Sequence, residues 1–195
     1  MIDPSDITNF NRSEIELQEY LLFCACVAGK TSPVQAKNLV VQAKKLEDFL
    51  YPSTLLGKTP FEYINHLEAS GKLMPRLRYT KLGQYNRLHE LFKKIIALDV
   101  ENVDIDELEN VPGIGPKTSR FFLLHSRPNQ RVAVLDTHIL SWLRENTKGI
   151  SISTSTPQTK SRYNTIEKLF ISEADKRNIG IAEFDLHIWN ERSRN

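Results

Sequence analysis

The chain has 195 residues, 40% of them apolar and 26% charged, which is ordinary for a globular protein with one core or two small lobes. No stretch approaches the roughly 18 apolar residues of a membrane span, and the polar, acidic start MIDPSDITNFNRSE is not the pattern of a secretory signal or transit peptide. An intracellular place is therefore expected, cytoplasmic and nucleoid-associated if the source is prokaryotic. The net charge of +2 says little by itself. Its distribution says more: Lys72 to Lys94 holds Lys72, Arg76, Arg78, Lys81, Arg87, Lys93 and Lys94 against one acid, Glu90. Such a run suits either a polyanion ligand or a solvated helix face.

In chain order the pattern is helical throughout. Ser13 with Glu16 forms a capping box ahead of Leu17–Val27. The apolar run YLLFCACVAG within it carries Cys24 and Cys26, the only cysteines. Two residues apart on one helix they are unsuited to a mutual disulfide, and they cannot supply a four-thiolate cluster, so they read as core. Ser32, Pro33 and Gln35 signal a second helix start, and Thr59, Pro60 and Glu62 a third, with Gly71 as its C-terminal stop. Leu88, Leu91, Phe92, Ile95 and Ile96 mark an amphipathic helix, and a short acidic helix is expected over Ile105–Glu109.

Val111-Pro-Gly-Ile-Gly115-Pro-Lys-Thr118 then reads as a tight turn between two helices, with Pro116 at the first position of the second. Gly113 and Gly115 allow positive φ and close approach of the backbone to a ligand. The unsatisfied N–H groups of the following helix start form a natural phosphate site. Ile114 packs inward and holds the turn. This is a helix-hairpin-helix signature, which grips a nucleic-acid backbone without reading sequence. That helix runs to about His125. Arg131–Leu135 is extended, Asp136 is placed as the N-cap of another helix, Ser151–Lys160 is a loop, and helices are expected over Ser161–Lys176 and Ile181–Arg192.

Lys117 alone could be a phosphate contact, and Asp136 alone a cap. Their pairing, 19 residues apart and each at a helix start, is more telling. VPGIGPKTSRFFLLHS followed by VAVLDTHIL resembles the hairpin-plus-aspartate signature of the helix-hairpin-helix DNA glycosylases, which include endonuclease III and the 8-oxoguanine glycosylases. YLLFCACVAGKTSPVQAKNL extends the likeness to the family's early helix and DNA-wedging loop.

The resemblance implies an all-α fold of two helical lobes, with the helix-hairpin-helix motif and an active-site cleft between the lobes. One lobe would span 20–134 and the other 1–19 plus 135–195. It implies a bifunctional DNA glycosylase and abasic-site lyase of base-excision repair, acting as a monomer on a flipped-out damaged base, an oxidised purine among the candidates, in double-stranded DNA. Lys117 is the expected nucleophile, forming a Schiff base with the sugar. Asp136 is expected to stabilise the positive charge that develops there. An amine nucleophile must first lose its proton, which partial burial and a helix N-terminus favour.

Gly113, Ile114, Gly115, Pro116 and Thr118 are the expected DNA contacts, with Arg87 as a phosphate ligand and Lys30 in the loop that fills the gap left by the flipped base. No cofactor is called for, a monovalent cation at the hairpin aside: the four C-terminal cysteines of the endonuclease III branch are missing, which points to the cluster-free 8-oxoguanine branches. Phe184–Trp189, FDLHIW, is similar to the ending of the small archaeal and bacterial 8-oxoguanine glycosylases. Those end in a base-contacting lysine, whereas this chain ends Glu191-Arg-Ser-Arg-Asn195. Phe121, Phe122, Tyr163 and Phe184 are candidates for stacking on the base, and Trp142 and Trp189 read as core. Asp185 resembles an inward acidic residue on the last helix, with a cap or surface charge favoured over base recognition. The competing readings are a non-catalytic helix-hairpin-helix DNA-binding protein and a monofunctional glycosylase.

Overall fold

The computed structural model describes residues 3, 7–28 and 35–193; Lys30 and the Ser32-Pro33 helix start lie outside the described residues. Among the described residues the structure contains helices and no strand: α1 (Glu14–Val27), α2 (Gln35–Leu55), α3 (Pro60–Ala69), α4 (Leu73–Tyr79), α5 (Tyr85–Ile95), α6 (Ile105–Glu109), α7 (Pro116–Ser126), α8 (Thr137–Asn146), α9 (Lys160–Arg177) and α10 (Ile181–Ser193). None of the helices is long and apolar enough to cross a membrane. The chain separates into two compact units, Met1–Gly115 and Pro116–Asn195. The expected lobes, 20–134 against 1–19 with 135–195, divide the chain at other points.

The caps explain why the helices of the first unit start and stop where they do. Ser13 and Glu16 satisfy each other's backbone amides at the start of α1, and Thr59 and Glu62 do the same for α3. At the end of α3, Gly71 takes φ +67°. Its amide reaches the Glu68 carbonyl and the Lys72 amide the Leu67 carbonyl, the paired bonds of a glycine stop. Asp104 and Glu107 box the start of α6. The short helix α4 has no side-chain cap and no strong periodicity, and only Leu73 and Leu77 on its inner face are buried.

Helix α2 contains Pro52. A proline in a helix removes one amide donor and leaves the carbonyl four residues earlier without its partner. Here that carbonyl belongs to Asp48, and the Arg76 guanidinium of α4 donates to it and to the Phe49 carbonyl, at 3.2 Å from Nη2. One basic residue of the Lys72–Lys94 run is thus used to repair a helix. Others in that run also have partners inside the unit: Arg78 lies over the Tyr85 ring at 5.5 Å, and Lys93 pairs with Glu68 and Glu90 at 3.5 and 3.6 Å. Cys24 and Cys26 are both buried and free, as their apolar setting predicts, and burial pushes the Cys24 thiol well above its ordinary range.

In the second unit, Asp136, Thr159 and Asn178 mark ends: Asp136 and Thr159 cap α8 and α9, and Asn178 in the left-handed region terminates α9. Trp142, Phe170 and Phe184 pack ring against ring, with centroids 5.1 Å apart in each pair they form with Phe184. Trp142 is core as expected, whereas Trp189 is only half-buried.

Candidate active site

The hairpin turn is built by α5. Gly113 takes φ +96°, a conformation that side chains disfavour. A Cβ there would stand 3.2 Å from Leu91 Cδ1 and 3.4 Å from Arg87 Cγ, so the glycine is required both by angle and by space. Ile114 is buried, as its place between two glycines suggests. Gly115 has no positive φ, and a Cβ on it would meet nothing within 4 Å. Pro116 is half-buried at the first position of α7, and Thr118 is buried.

Arg87 has a more specific place than that of a surface phosphate ligand. Its Nη2 donates to the Gly113 carbonyl at 2.8 Å, and its Nη1 donates to the Ala25 carbonyl at 3.0 Å and to Gln84 Oε1 at 2.8 Å. Gln84 Nε2 in turn donates to the Ala28 carbonyl at 3.2 Å. Arg87 therefore fastens the turn to the end of α1. Gln84 adopts φ 44°, and this left-handed residue opens α5 in the geometry that lets both side chains reach back.

Lys117 sits in the first turn of α7 and is exposed, so the partial burial expected for it is not found. Asp136 is the N-cap of α8 and half-buried. Its Oδ1 accepts from the amides of His138 and Ile139, both at 2.9 Å. Neither cap bond uses Oδ2. Lys117 and Asp136 both exert a field on a third group, Asp185 of α10, only 6% exposed: it points inward, as the resemblance suggests, and is not the cap or surface charge that was favoured for it. Its Oδ2 lies 3.3 Å from Nε2 of the buried His125 on α7, while Oδ1 is buried without a hydrogen-bond partner. Burial pushes its carboxyl above the usual range, and nearby Asp136 adds to this; His125 and Lys117 pull the other way. The signal for Asp185 was present in the spacing: Ile181, Phe184 and Ile188 are all buried, and Asp185 falls on the same helical stripe.

Of the four ring candidates for stacking, Phe122, Tyr163 and Phe184 are core residues. Phe121 alone is half-buried, one turn beyond Lys117, with its ring edge-on to His125 at 5.2 Å. Arg192, near the C-terminus where the family's lysine is missing, is held by Glu145.

The segment that delivers Asp136 is neither helix nor strand and lies buried from Val132 to Leu135, with the Asp136 amide turned onto the Val134 carbonyl at 2.7 Å. Its backbone groups find partners on side chains. Glu167 Oε1 accepts from the Ala133 amide at 2.9 Å and from Arg120 Nε at 2.7 Å. The Tyr163 hydroxyl donates to the Ala133 carbonyl at 2.8 Å and accepts from the Leu135 amide at 3.1 Å. Thr156 Oγ1 donates to the Leu135 carbonyl at 2.9 Å. Burial raises the Tyr163 phenol far above its ordinary range, so it stays a donor. Arg120, 3% exposed, stacks its guanidinium over the Tyr163 ring at 4.3 Å and donates from Nη1 to the Pro116 carbonyl at 3.2 Å.

The chain as a whole is similar to known proteins. Residues 5–179 match a family model described as 8-oxoguanine DNA glycosylase. An 8-oxoguanine DNA glycosylase/AP lyase of Methanocaldococcus jannaschii is 32% identical over 190 residues, covering 94% of this chain and 83% of the relative. One of Saccharolobus solfataricus is 27% identical, covering 96% and 87%. The crystal structure of the Methanocaldococcus jannaschii 8-oxoguanine DNA glycosylase superposes with a TM-score of 0.66 at 23% identity, over 98% of this chain and 85% of that one, and so shares the fold. With a family match that runs from the first residues to the end of α9, this chain belongs to the 8-oxoguanine DNA glycosylase family.

Proposed function

We propose that the chain is a bifunctional DNA glycosylase and abasic-site lyase that removes an oxidised purine from double-stranded DNA through Lys117. The observation that carries this is the pairing of an exposed lysine in the first turn of α7 with the capping carboxylate of Asp136 in the same compact unit, in a chain of this family. The neutral amine of Lys117 attacks C1′ of the flipped nucleotide, and the bond from C1′ to the base breaks with its electron pair leaving on the base. Opening of the sugar gives a Schiff base, and loss of a proton from C2′ expels the 3′ phosphate. The Asp136 carboxylate, fixed by its cap bonds, stabilises the positive charge on the sugar as the base departs.

Gly113, Ile114, Gly115, Pro116 and Thr118 shape the turn that meets the phosphate backbone, with amides rather than side chains as donors. Arg87 serves that turn by holding the Gly113 carbonyl. The chemistry calls for no cofactor beyond a cation at the hairpin. A monomer inside the cell is the form we propose.

The test is borohydride trapping on duplexes carrying 8-oxoguanine, an oxidised pyrimidine, uracil or an abasic site. A covalent band that vanishes in Lys117→Gln is expected, and the lesion giving the strongest band names the substrate. Asp136→Asn keeps a good N-cap, so loss of trapping in that variant reports the missing charge and not a frayed helix. Duplex binding with no band on any lesion would replace this reading with a non-catalytic DNA grip, or with a glycosylase that activates water.

A further inference from the structure

We infer that Tyr163, Glu167, Arg120 and Thr156 are positioning residues for the reaction: a buried side-chain clamp that fixes the backbone immediately ahead of both Lys117 and Asp136. The inference rests on the function proposed above. The sequence offers Tyr163 only as a candidate for stacking on the base, and neither its pattern nor the likeness to known proteins assigns the four a positioning role.

Buried backbone outside helices normally satisfies its amides and carbonyls in a sheet. Among the described residues this protein has no strand, yet Val132 to Leu135 are buried outside any helix, with one local backbone bond, from the Asp136 amide to the Val134 carbonyl at 2.7 Å. Side chains therefore take the place of a neighbouring strand. Tyr163 and Glu167 stand four residues apart on α9 and so share one face. From that face Glu167 takes the Ala133 amide, and the Tyr163 hydroxyl bridges the Ala133 carbonyl and the Leu135 amide. Thr156 takes the Leu135 carbonyl. Leu135 thus has both backbone groups held, and the next residue is Asp136. Arg120 closes the assembly at its other end. It is bound to Glu167 and reaches the Pro116 carbonyl, and the residue after Pro116 is Lys117.

A buried Arg–Glu pair is a poor device for stability, because apolar residues of similar volume commonly serve as well. What apolar residues cannot do is set the direction of particular peptide groups. The Asp136 side chain leaves the backbone at the Cα directly after the clamped Leu135–Asp136 peptide, so a small rotation of that peptide carries it away from the sugar. Displacements of about 1 Å at a reacting group can cost roughly 100-fold in rate. The Tyr163 hydroxyl is buried and bonds only to the Ala133 and Leu135 backbone, so its loss should appear in the chemical step and not in binding.

The experiment uses the full chain. Tyr163→Phe deletes the bridging oxygen, Thr156→Val deletes the Leu135 carbonyl bond, and Thr156→Ser restores it. Ile166→Val trims the same helix α9 at a fully buried residue that makes no bond to the segment. Single-turnover excision and duplex affinity are measured for each, together with amide exchange at His138 and Ile139, the two donors to the Asp136 cap. The expected result is a 10- to 100-fold fall in the excision rate for Tyr163→Phe, a smaller fall for Thr156→Val that Thr156→Ser reverses, affinities within about twofold, and faster exchange at the cap. Ile166→Val should match wild type in rate. Equal rates in Tyr163→Phe and wild type, or an equal fall in Ile166→Val, would overturn the inference. A wild-type chain that excises none of the lesions would instead count against the proposed function. The exchange measurement then decides for the clamp, and unchanged exchange at His138 and Ile139 in Tyr163→Phe would overturn it.

Discussion

The two glycines of the hairpin should fail in opposite ways when each is replaced by alanine. At position 113 the left-handed backbone costs an L residue about 1–2 kcal/mol. The added methyl must also press on Leu91 Cδ1 at 3.2 Å and on the Arg87 side chain at 3.4 Å. Overpacking of this kind adds about 1–2 kcal/mol, for a total of about 3 kcal/mol. At the ~2–4 °C per kcal/mol typical of a chain this size, Gly113→Ala should lower Tm by roughly 6–12 °C. At position 115 the backbone is compatible with alanine and the space is open. Gly115→Ala should therefore be neutral or more stable by about 0.5 kcal/mol, through the less flexible unfolded chain. If Gly115 is a glycine so that a phosphate can approach, duplex affinity should nonetheless fall roughly tenfold or more, the worth of a charged hydrogen bond. Urea or thermal melts and fluorescence anisotropy on a labelled duplex, at fixed salt, measure the two axes. A Gly113→Ala protein with wild-type stability, or a Gly115→Ala protein with wild-type affinity, would refute the reasoning for that residue.

Arg76→Ala should cost about 1–2 kcal/mol by leaving the Asp48 carbonyl that Pro52 exposes without its donor. Most of that cost should disappear in a Pro52→Ala background, which a double-mutant cycle of denaturant melts would detect as coupling. Asp185 carries a raised carboxyl value in the folded state, so the stability associated with it is fully present below the ordinary carboxyl range and is lost as pH rises through the raised value. The difference in Tm between Asp185→Asn and wild type should accordingly move in favour of the asparagine as pH increases from 4 to 8; a difference that does not vary with pH contradicts this. Iodoacetamide applied to the native protein should label neither Cys24 nor Cys26, since both are buried and the Cys24 thiol is held protonated, and mass spectrometry after unfolding should then find both reactive.

What the sequence made legible was set by local chemistry. The capping boxes at Ser13, Thr59 and Asp104 and the cap at Asp136 involve residues at most three apart. For three of these four, at Ser13, Thr59 and Asp136, the one-dimensional pattern was enough to place a helix start. The turn Gly113-Ile114-Gly115 was readable for the same reason. Less legible were partners far apart in the chain. Arg87 looked like one more basic residue in a basic run because its acceptors, Ala25 and Gly113, lie 62 and 26 residues away. Arg120 and Glu167, 47 residues apart, carry no local mark of being a buried pair. Asp185 was a different kind of miss: the apolar spacing around it pointed inward, and its charge was given more weight than its register.

The cap on α8 has a consequence for Asp136. Because Oδ1 is bound by two amides at 2.9 Å, the rotamer of this side chain is chosen when the helix forms and not when DNA arrives. A flexible carboxylate would have to be ordered at each turnover, at a cost in entropy borne by the complex. Here that ordering is part of folding, so Oδ2 should occupy one orientation in the free and the DNA-bound protein alike.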